Sequence, residues 1–135
     1  GSDIFVAKLN TSGAWQWVVQ AGGDRLSQDY GSSIAVDSSG NCYITGYFYG
    51  TASFGDTNLT NSGNYDIFVA KLNTSGEWQW AVQAGGSSSD IGSSIAVDSS
   101  GNCYITGYFS GTASFGATNL TTSGDNDIFV AKYGV

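Results

Sequence analysis

Apolar and polar residues alternate in short runs along this chain, and each run is closed by glycine, serine, asparagine or aspartate. A period near two, carried by Val, Ile, Thr, Tyr, Phe and Trp, predicts strands over 4–9, 15–21, 32–37 and 42–48. No window places apolar residues at helical spacing. Asn10-Thr11-Ser12-Gly13 parts the first two runs and Asp37-Ser38-Ser39-Gly40-Asn41 the next two, so 3–21 and 32–48 each predict a hairpin. On the second strand, strict alternation expects Trp15, Trp17 and Val19 on one face and Gln16, Val18 and Gln20 on the other. The third run holds small residues with Ile34 and Val36, which suits a crowded position. The fourth is apolar on both faces, as for a strand covered on both sides. Residues 22–31 read as a loop, and 49–65 as a long connection holding a small hairpin or strand extension.

The whole pattern then recurs. Asp-Ile-Phe-Val-Ala-Lys begins at residues 3, 66 and 127, and Ser32 to Phe48 returns unchanged as Ser93 to Phe109. The chain therefore divides into repeats at 3–65 and 66–126 with a partial third at 127–135, one repeat module in all. Between the repeats, length differs only in the first loop, which is shorter at 85–92 than at 22–31, and a segment that tolerates such a change lies at the surface. Each repeat carries four strands. In blade order the Ser-Ile-Ala-Val strand is first, Cys-Tyr-Ile-Thr second, Asp-Ile-Phe-Val third and Trp-Gln-Trp fourth. A four-stranded antiparallel unit with two apolar faces is not stable alone. Radial stacking of such units gives a β-propeller, with the small-residue strand nearest the axis.

Ile34-Ala35-Val36-Asp37-Ser38-Ser39-Gly40-Asn41-Cys42-Tyr43-Ile44-Thr45-Gly46, followed by Asp66-Ile67-Phe68-Val69-Ala70-Lys71-Leu72-Asn73-Thr74-Ser75-Gly76, resembles the bacterial β-propeller repeat family of secreted and surface proteins. The resemblance covers almost the whole chain. It implies a propeller fold and a non-catalytic, scaffold-like role, and it implies no particular ligand. The connections 49–65 and 110–126 are longer than the family's shorter pattern.

Composition narrows the function. With four Lys and Arg against eleven Asp and Glu, the formal charge is −7, so the basic footprint of a nucleic-acid or anionic-lipid partner is missing. No apolar run reaches membrane-spanning length, and no membrane insertion is expected. Sparse charge with abundant Ser, Thr, Asn and Gly suits an extracellular or cell-surface location, although no signal peptide is visible. Histidine is absent, which removes the usual general base and the commonest metal ligand. Cys42 and Cys103 are one position seen in two repeats, expected to be buried and not joined to each other. The turn 37–41 lacks the alternating acidic ligands of a calcium loop. No catalytic residue, metal site or cofactor is expected, and the chain does not read as an enzyme. Asn10, Asn58, Asn73 and Asn119 each open a glycosylation sequon, a pattern that arises easily in such a composition.

In blade order the chain reads third-fourth, first to fourth, then first-second-third. The fold class expected is thus all-β, with propeller-type blades of four antiparallel strands, about two blades' worth per chain, completed by other chains. Ile4, Phe5, Val6, Trp15 and Trp17 at one end, and Ile128, Phe129 and Val130 at the other, form complementary fragments and are the expected assembly strands. The expected partner is the chain itself, head to tail, as a ring of roughly six or eight blades from three or four chains. A rotation that does not close would give an open filament. One third-type strand is redundant in either scheme. A binding face, if the chain has one, is expected where the variable loops gather, carrying Asp24, Arg25, Asp29, Tyr30, Asp56, Tyr65, Asp90 and Asp125; the alternative reading of that end is ordinary solvated loop. A lectin-like glycan-binding propeller is a further alternative for the function; the paired tryptophans could stack on sugars, but their alternation on one strand favours packing between sheets.

Overall fold

The computed structural model describes residues 1–134, so Val135, the last residue of the partial repeat, lies outside the described residues. Thirteen strands follow in order: β1 (Ile4–Leu9), β2 (Trp15–Ala21), β3 (Gln28–Val36), β4 (Cys42–Tyr49), β5 (Thr51–Phe54), β6 (Thr57–Thr60), β7 (Asp66–Leu72), β8 (Trp78–Gly86), β9 (Ile91–Val97), β10 (Cys103–Phe109), β11 (Thr112–Phe115), β12 (Thr118–Thr121) and β13 (Asp127–Tyr133). The chain is all-β, built from antiparallel sheets of several strands.

One blade is complete. β3, β4, β7 and β8 pair in that order, with Val36 opposite Cys42, Cys42 opposite Leu72, and Leu72 opposite Trp78. On its amino-terminal side stands the two-stranded fragment β1-β2; on its carboxy-terminal side stands the three-stranded fragment β9-β10-β13. The fragments repeat the registers of the complete blade: Cys103 faces Tyr133 as Cys42 faces Leu72. Two apolar clusters lie on either side of this central blade. One joins Phe48, Phe54, Phe68 and Leu72 to Ile4 and Val6; the other joins Tyr43, Ile67 and Val69 to Ile95, Cys103, Ile105 and Phe129. Both cysteines are buried and free.

The tight turns form as the sequence expects, for a legible reason. Asp37 accepts hydrogen bonds from the backbone of Ser39 and Asn41, the Asn41 side chain and the Tyr43 hydroxyl, all between 2.9 and 3.0 Å, while Gly40 takes φ 90°. Asp98 repeats the arrangement.

Two expectations need correction. The first strand of the central blade starts at Gln28, because residues 28–31 go on pairing with 46–49 beyond a bulge between Gly31 and Ser33. The surface loop is therefore 22–27, and its counterpart, after β8 runs on to Gly86, is 87–90. Second, the tryptophans of a pair do not share a face. A bulge next to Leu72 sets Trp78 opposite Leu72 and Trp80 opposite Lys71, leaving Gln79 as the extra residue. Trp78 consequently packs in the first cluster and Trp80 in the second. The same bulge at Lys8/Leu9 separates Trp15 from Trp17. Each long connection does fold as the small hairpin expected, β5-β6 and β11-β12, and it serves the preceding blade. β11 pairs with the end of β8 through Ala113–Gly86 and Ser114–Gly85, and Ser53 of β5 exchanges backbone hydrogen bonds with Gly22 just after β2.

Candidate assembly interface

Because the repeats are nearly identical, each residue of the central blade shows what its counterpart at the ends lacks. Phe68 is wholly buried, whereas Phe5, at the same register on β1, is 73% exposed. Ile67 is 1% exposed, whereas Ile128 on β13 is 80% exposed, and Val130 follows Ile128 as Val69 follows Ile67. The exposures are complementary. On β1, Ile4 and Val6 are buried and Phe5 is open; on β13, Phe129 is buried and Ile128 and Val130 are open. Overlaid, the two strands reproduce β7, in which all three positions are covered.

The inner and outer strands follow the same rule. Ile95 on β9 is buried, but its counterpart Ile34 on β3 is 51% exposed, and Val36 is open with it, because among the described residues no first and second strands stand beside β1. A groove of about 310 Å³ lies there, lined by Phe5, Ala7, Ile34 and Ile44. Val18 and Trp15 on β2 are exposed where Ala81 is buried and Trp78 is packed. At the other end a groove of about 360 Å³ runs where a fourth strand would lie beside β13, between Val69, Val82 and Ala84 on one side and Phe129 and Ala131 on the other. Exposed apolar area of this extent is unfavourable in water, at about 25 cal/mol for each Å².

A polar cluster is divided in the same way. In the central blade, Asp66 accepts from the Ser62 backbone and hydroxyl at 2.9 and 2.8 Å and from Gln83 Nε2 at 3.2 Å. The amino-terminal fragment has only the aspartate and the glutamine, with Gln20 Nε2 donating to Asp3 at 3.3 Å. The carboxy-terminal fragment has only the serine and the aspartate, with Ser123 donating to Asp127 from its backbone and hydroxyl at 3.1 and 3.2 Å.

The residues expected to form a ligand surface are placed unevenly. Asp29 and Asp90 are buried. Asp29 accepts from the Gly23 backbone at 3.1 Å, tying β3 to the start of the loop before it, and Asp90 accepts from that of Gly86 at 2.8 Å, tying its loop to the end of β8. Burial pushes the Asp29 carboxyl up to about 6, and raises Asp66 and Asp90 as well. One oxygen of Asp29 and one of Asp66 have no hydrogen-bond partner among the described residues. Asp24 caps its loop by accepting from the backbone of Leu26 and Ser27, and the Arg25 carbonyl accepts from the amino terminus at 2.7 Å. Asp56 and Asp125 are exposed. Tyr30 and Tyr65 do come together, with Tyr47 and Tyr49, at ring separations of 5.0 to 6.2 Å, and Tyr65 donates to Gln28 at 2.7 Å. The sequence pattern does not place Tyr47 and Tyr49 there; the strand extension to Tyr49 is what brings them in. Among the described residues, no three His, Cys, Asp or Glu are gathered to hold a metal ion.

Residues 16–47 and 79–108 match the family model described as beta-propeller repeat. The matched stretches run from within the fourth strand of one blade through the second strand of the next, in both repeats, and they bear out the family resemblance. The chain is also 27% identical over 123 residues to an uncharacterized WD repeat-containing protein of Acanthamoeba polyphaga mimivirus, an alignment covering 78% of this chain and 9% of that protein. The chain thus spans less than a tenth of the length of the relative it matches.

Proposed function

We propose that this chain is a non-catalytic scaffold that assembles with copies of itself, the amino-terminal fragment of one molecule completing the carboxy-terminal blade of the next. The repeat match and the distant WD-repeat relative support the coarser reading, a repeat scaffold or interaction module. The observation that carries the finer one is the complementary burial of β1 and β13. Each is covered on the face that the other leaves open, and together they reproduce a strand of the complete blade. Head-to-tail joints of this kind use two different patches, so they close into a ring when the rotation per joint divides a full turn, and otherwise run on as a filament. Each joint fuses two fragments into one blade, so each chain adds two blades.

Molar mass measured by light scattering across a concentration series tests this. Discrete closed particles, with a mass that is a fixed multiple of 14.0 kDa, are expected. Fibres in electron micrographs would replace the ring with the filament. A stable monomer at all concentrations would overturn the assembly reading.

A further inference from the structure

The scaffold reading leaves one strand too many. A joint unites a third-fourth fragment with a first-second-third fragment, and the third position is claimed twice, by β1 of one molecule and by β13 of the other. Both carry the same six residues, Asp-Ile-Phe-Val-Ala-Lys. We infer that β13 is a displaceable plug: it occupies the edge of β10 in the isolated chain, and β1 of a second copy replaces it on assembly, bringing β2 as the fourth strand. This inference rests on the self-assembly reading and states which strand yields.

Two arrangements compete. In the first, β13 stays and the two fragments stack face to face as separate, incomplete blades. Stacking would bury Phe5 against Ile128 and Val130. It would leave Ile34 and Val36 open, because the amino-terminal fragment would still lack its first and second strands. It would also leave the groove beside β13 unfilled and the outer edges of β1 and β13 unpaired, and unpaired edges are an aggregation liability.

The second arrangement removes all of these defects at a single cost. With β1 in the slot, the ladder that β10 now makes from Cys103–Tyr133 to Phe109–Asp127 is remade with an identical sequence from Asp3 to Lys8, so its backbone bonding is conserved. Phe5 takes the buried place of Phe129 in the second cluster. Ile4 and Val6 remain covered by their own central blade. The incoming β2 lies beside the groove lined by Val82, Ala84 and Ala131, and turns its exposed Val18 and Trp15 toward it. In return β9 and β10 stand over Ile34 and Val36 of the incoming chain, and Tyr104, 38% exposed, gains the cover that hides Tyr43. Asp3 arrives with Gln20 beside Ser123, restoring the serine-aspartate-glutamine cluster that the central blade has intact. The one cost is β13 itself, released to solvent, and it was already bare on one face. The direction of exchange follows: the slot loses a single strand and receives the same strand with a partner attached.

Cysteine pairs distinguish the arrangements, since directly opposed residues of an antiparallel pair lie within disulfide reach. Val130 stands opposite Thr106, and Val6 is its counterpart on β1. When a chain carrying Thr106→Cys is mixed with one carrying Val6→Cys and oxidised, a disulfide-linked dimer is expected. The unaltered chain is the control, because its two thiols are buried and burial pushes that of Cys103 up to about 11. In the double variant Thr106→Cys/Val130→Cys, oxidation ties β13 into its slot, and association should be lost until a reductant restores it. Recovery on reduction shows that the variant folds. If the unaltered chain associates, yet the oxidised double variant associates equally well and the mixed pair does not cross-link, the exchange is overturned while self-assembly stands. If the unaltered chain remains monomeric, both fall.

Discussion

Asp29 shows how much a single side chain can do out of sight. Its carboxyl is buried at the root of the first loop and accepts one backbone hydrogen bond, and its other oxygen has no partner among the described residues. Desolvation favours the protonated form, and the nearby Asp3 acts in the same direction. A carboxyl raised in the folded state contributes stability fully below its unfolded value near 3.8, and that contribution is lost as pH rises through about 6. Asp66 and Asp90 are raised too and carry the same sign. Asp37, held down to about 2 by hydrogen bonds led by that from the Asn41 side chain, acts oppositely: its contribution is present above 3.8 and fades as pH falls through about 2. Melting temperature should therefore be highest in mildly acid solution and decline between about pH 4 and 7. Asp29→Asn should remove a share of that decline, on the order of 1–3 kcal/mol, since each tenfold change in proton affinity on folding is worth about 1.4 kcal/mol. Thermal melts of both proteins across that range check it, and parallel pH profiles would refute it. A sequence reading puts this aspartate on a loop surface because nothing local distinguishes a buried acid from a solvated one. Only the pairing of residues 28–31 draws it inward.

At the scale of the elements, the repeated hairpin turns offer an internal comparison. Gly13 and Gly76 occupy the same turn position, with φ 81° and 80°, where a side chain is strained. They differ in their surroundings. A methyl group on Gly76 would sit 2.8 Å from a ring carbon of Trp17, whose indole also donates to the Thr74 carbonyl at 3.2 Å; a methyl group on Gly13 would meet open space. Gly13→Ala should cost about 1–2 kcal/mol from the backbone alone. Gly76→Ala should cost about 1–3 kcal/mol more, because the indole must move. Chemical denaturation of the two variants measures the difference, and equal losses would mean that the Trp17 contact contributes nothing. This contact joins neighbouring blades, and no local pattern announces it. Alternation and turn residues made the main strands and hairpins legible, and repetition set their order. The bulge that turns Trp78 and Trp80 to opposite faces was not legible, since one unpaired residue resets every later side chain while leaving composition unchanged. Nor was the partner of each long insert, because β5 and β11 attach to the blade before them through backbone groups that any residue could supply.

The whole molecule is a complete blade held between two partial ones, and its energetics divide accordingly. Phe5 and Phe68 are the same residue in the same register, one in water and the other in a core. Counting strands along the sequence made the mismatched ends legible, but which faces are left bare needed the burial of each copy. Phe68→Ala should destabilise the isolated chain by about 3–5 kcal/mol, as large-to-small changes in a core do. Phe5→Lys should change that stability by no more than about 0.5 kcal/mol, since the ring is largely exposed. In an assembly the roles alter. A lysine at position 5 would bring an ammonium group into the apolar pocket that Phe129 now fills, and burying an unpaired charge there costs far more than a joint can lose. Phe5→Lys should therefore leave the melting temperature of the dilute chain unchanged and abolish its association. Denaturation together with sedimentation of the same variant separates the two effects. A Phe5→Lys chain that sediments like the unaltered assembly would show that this face is not the joint.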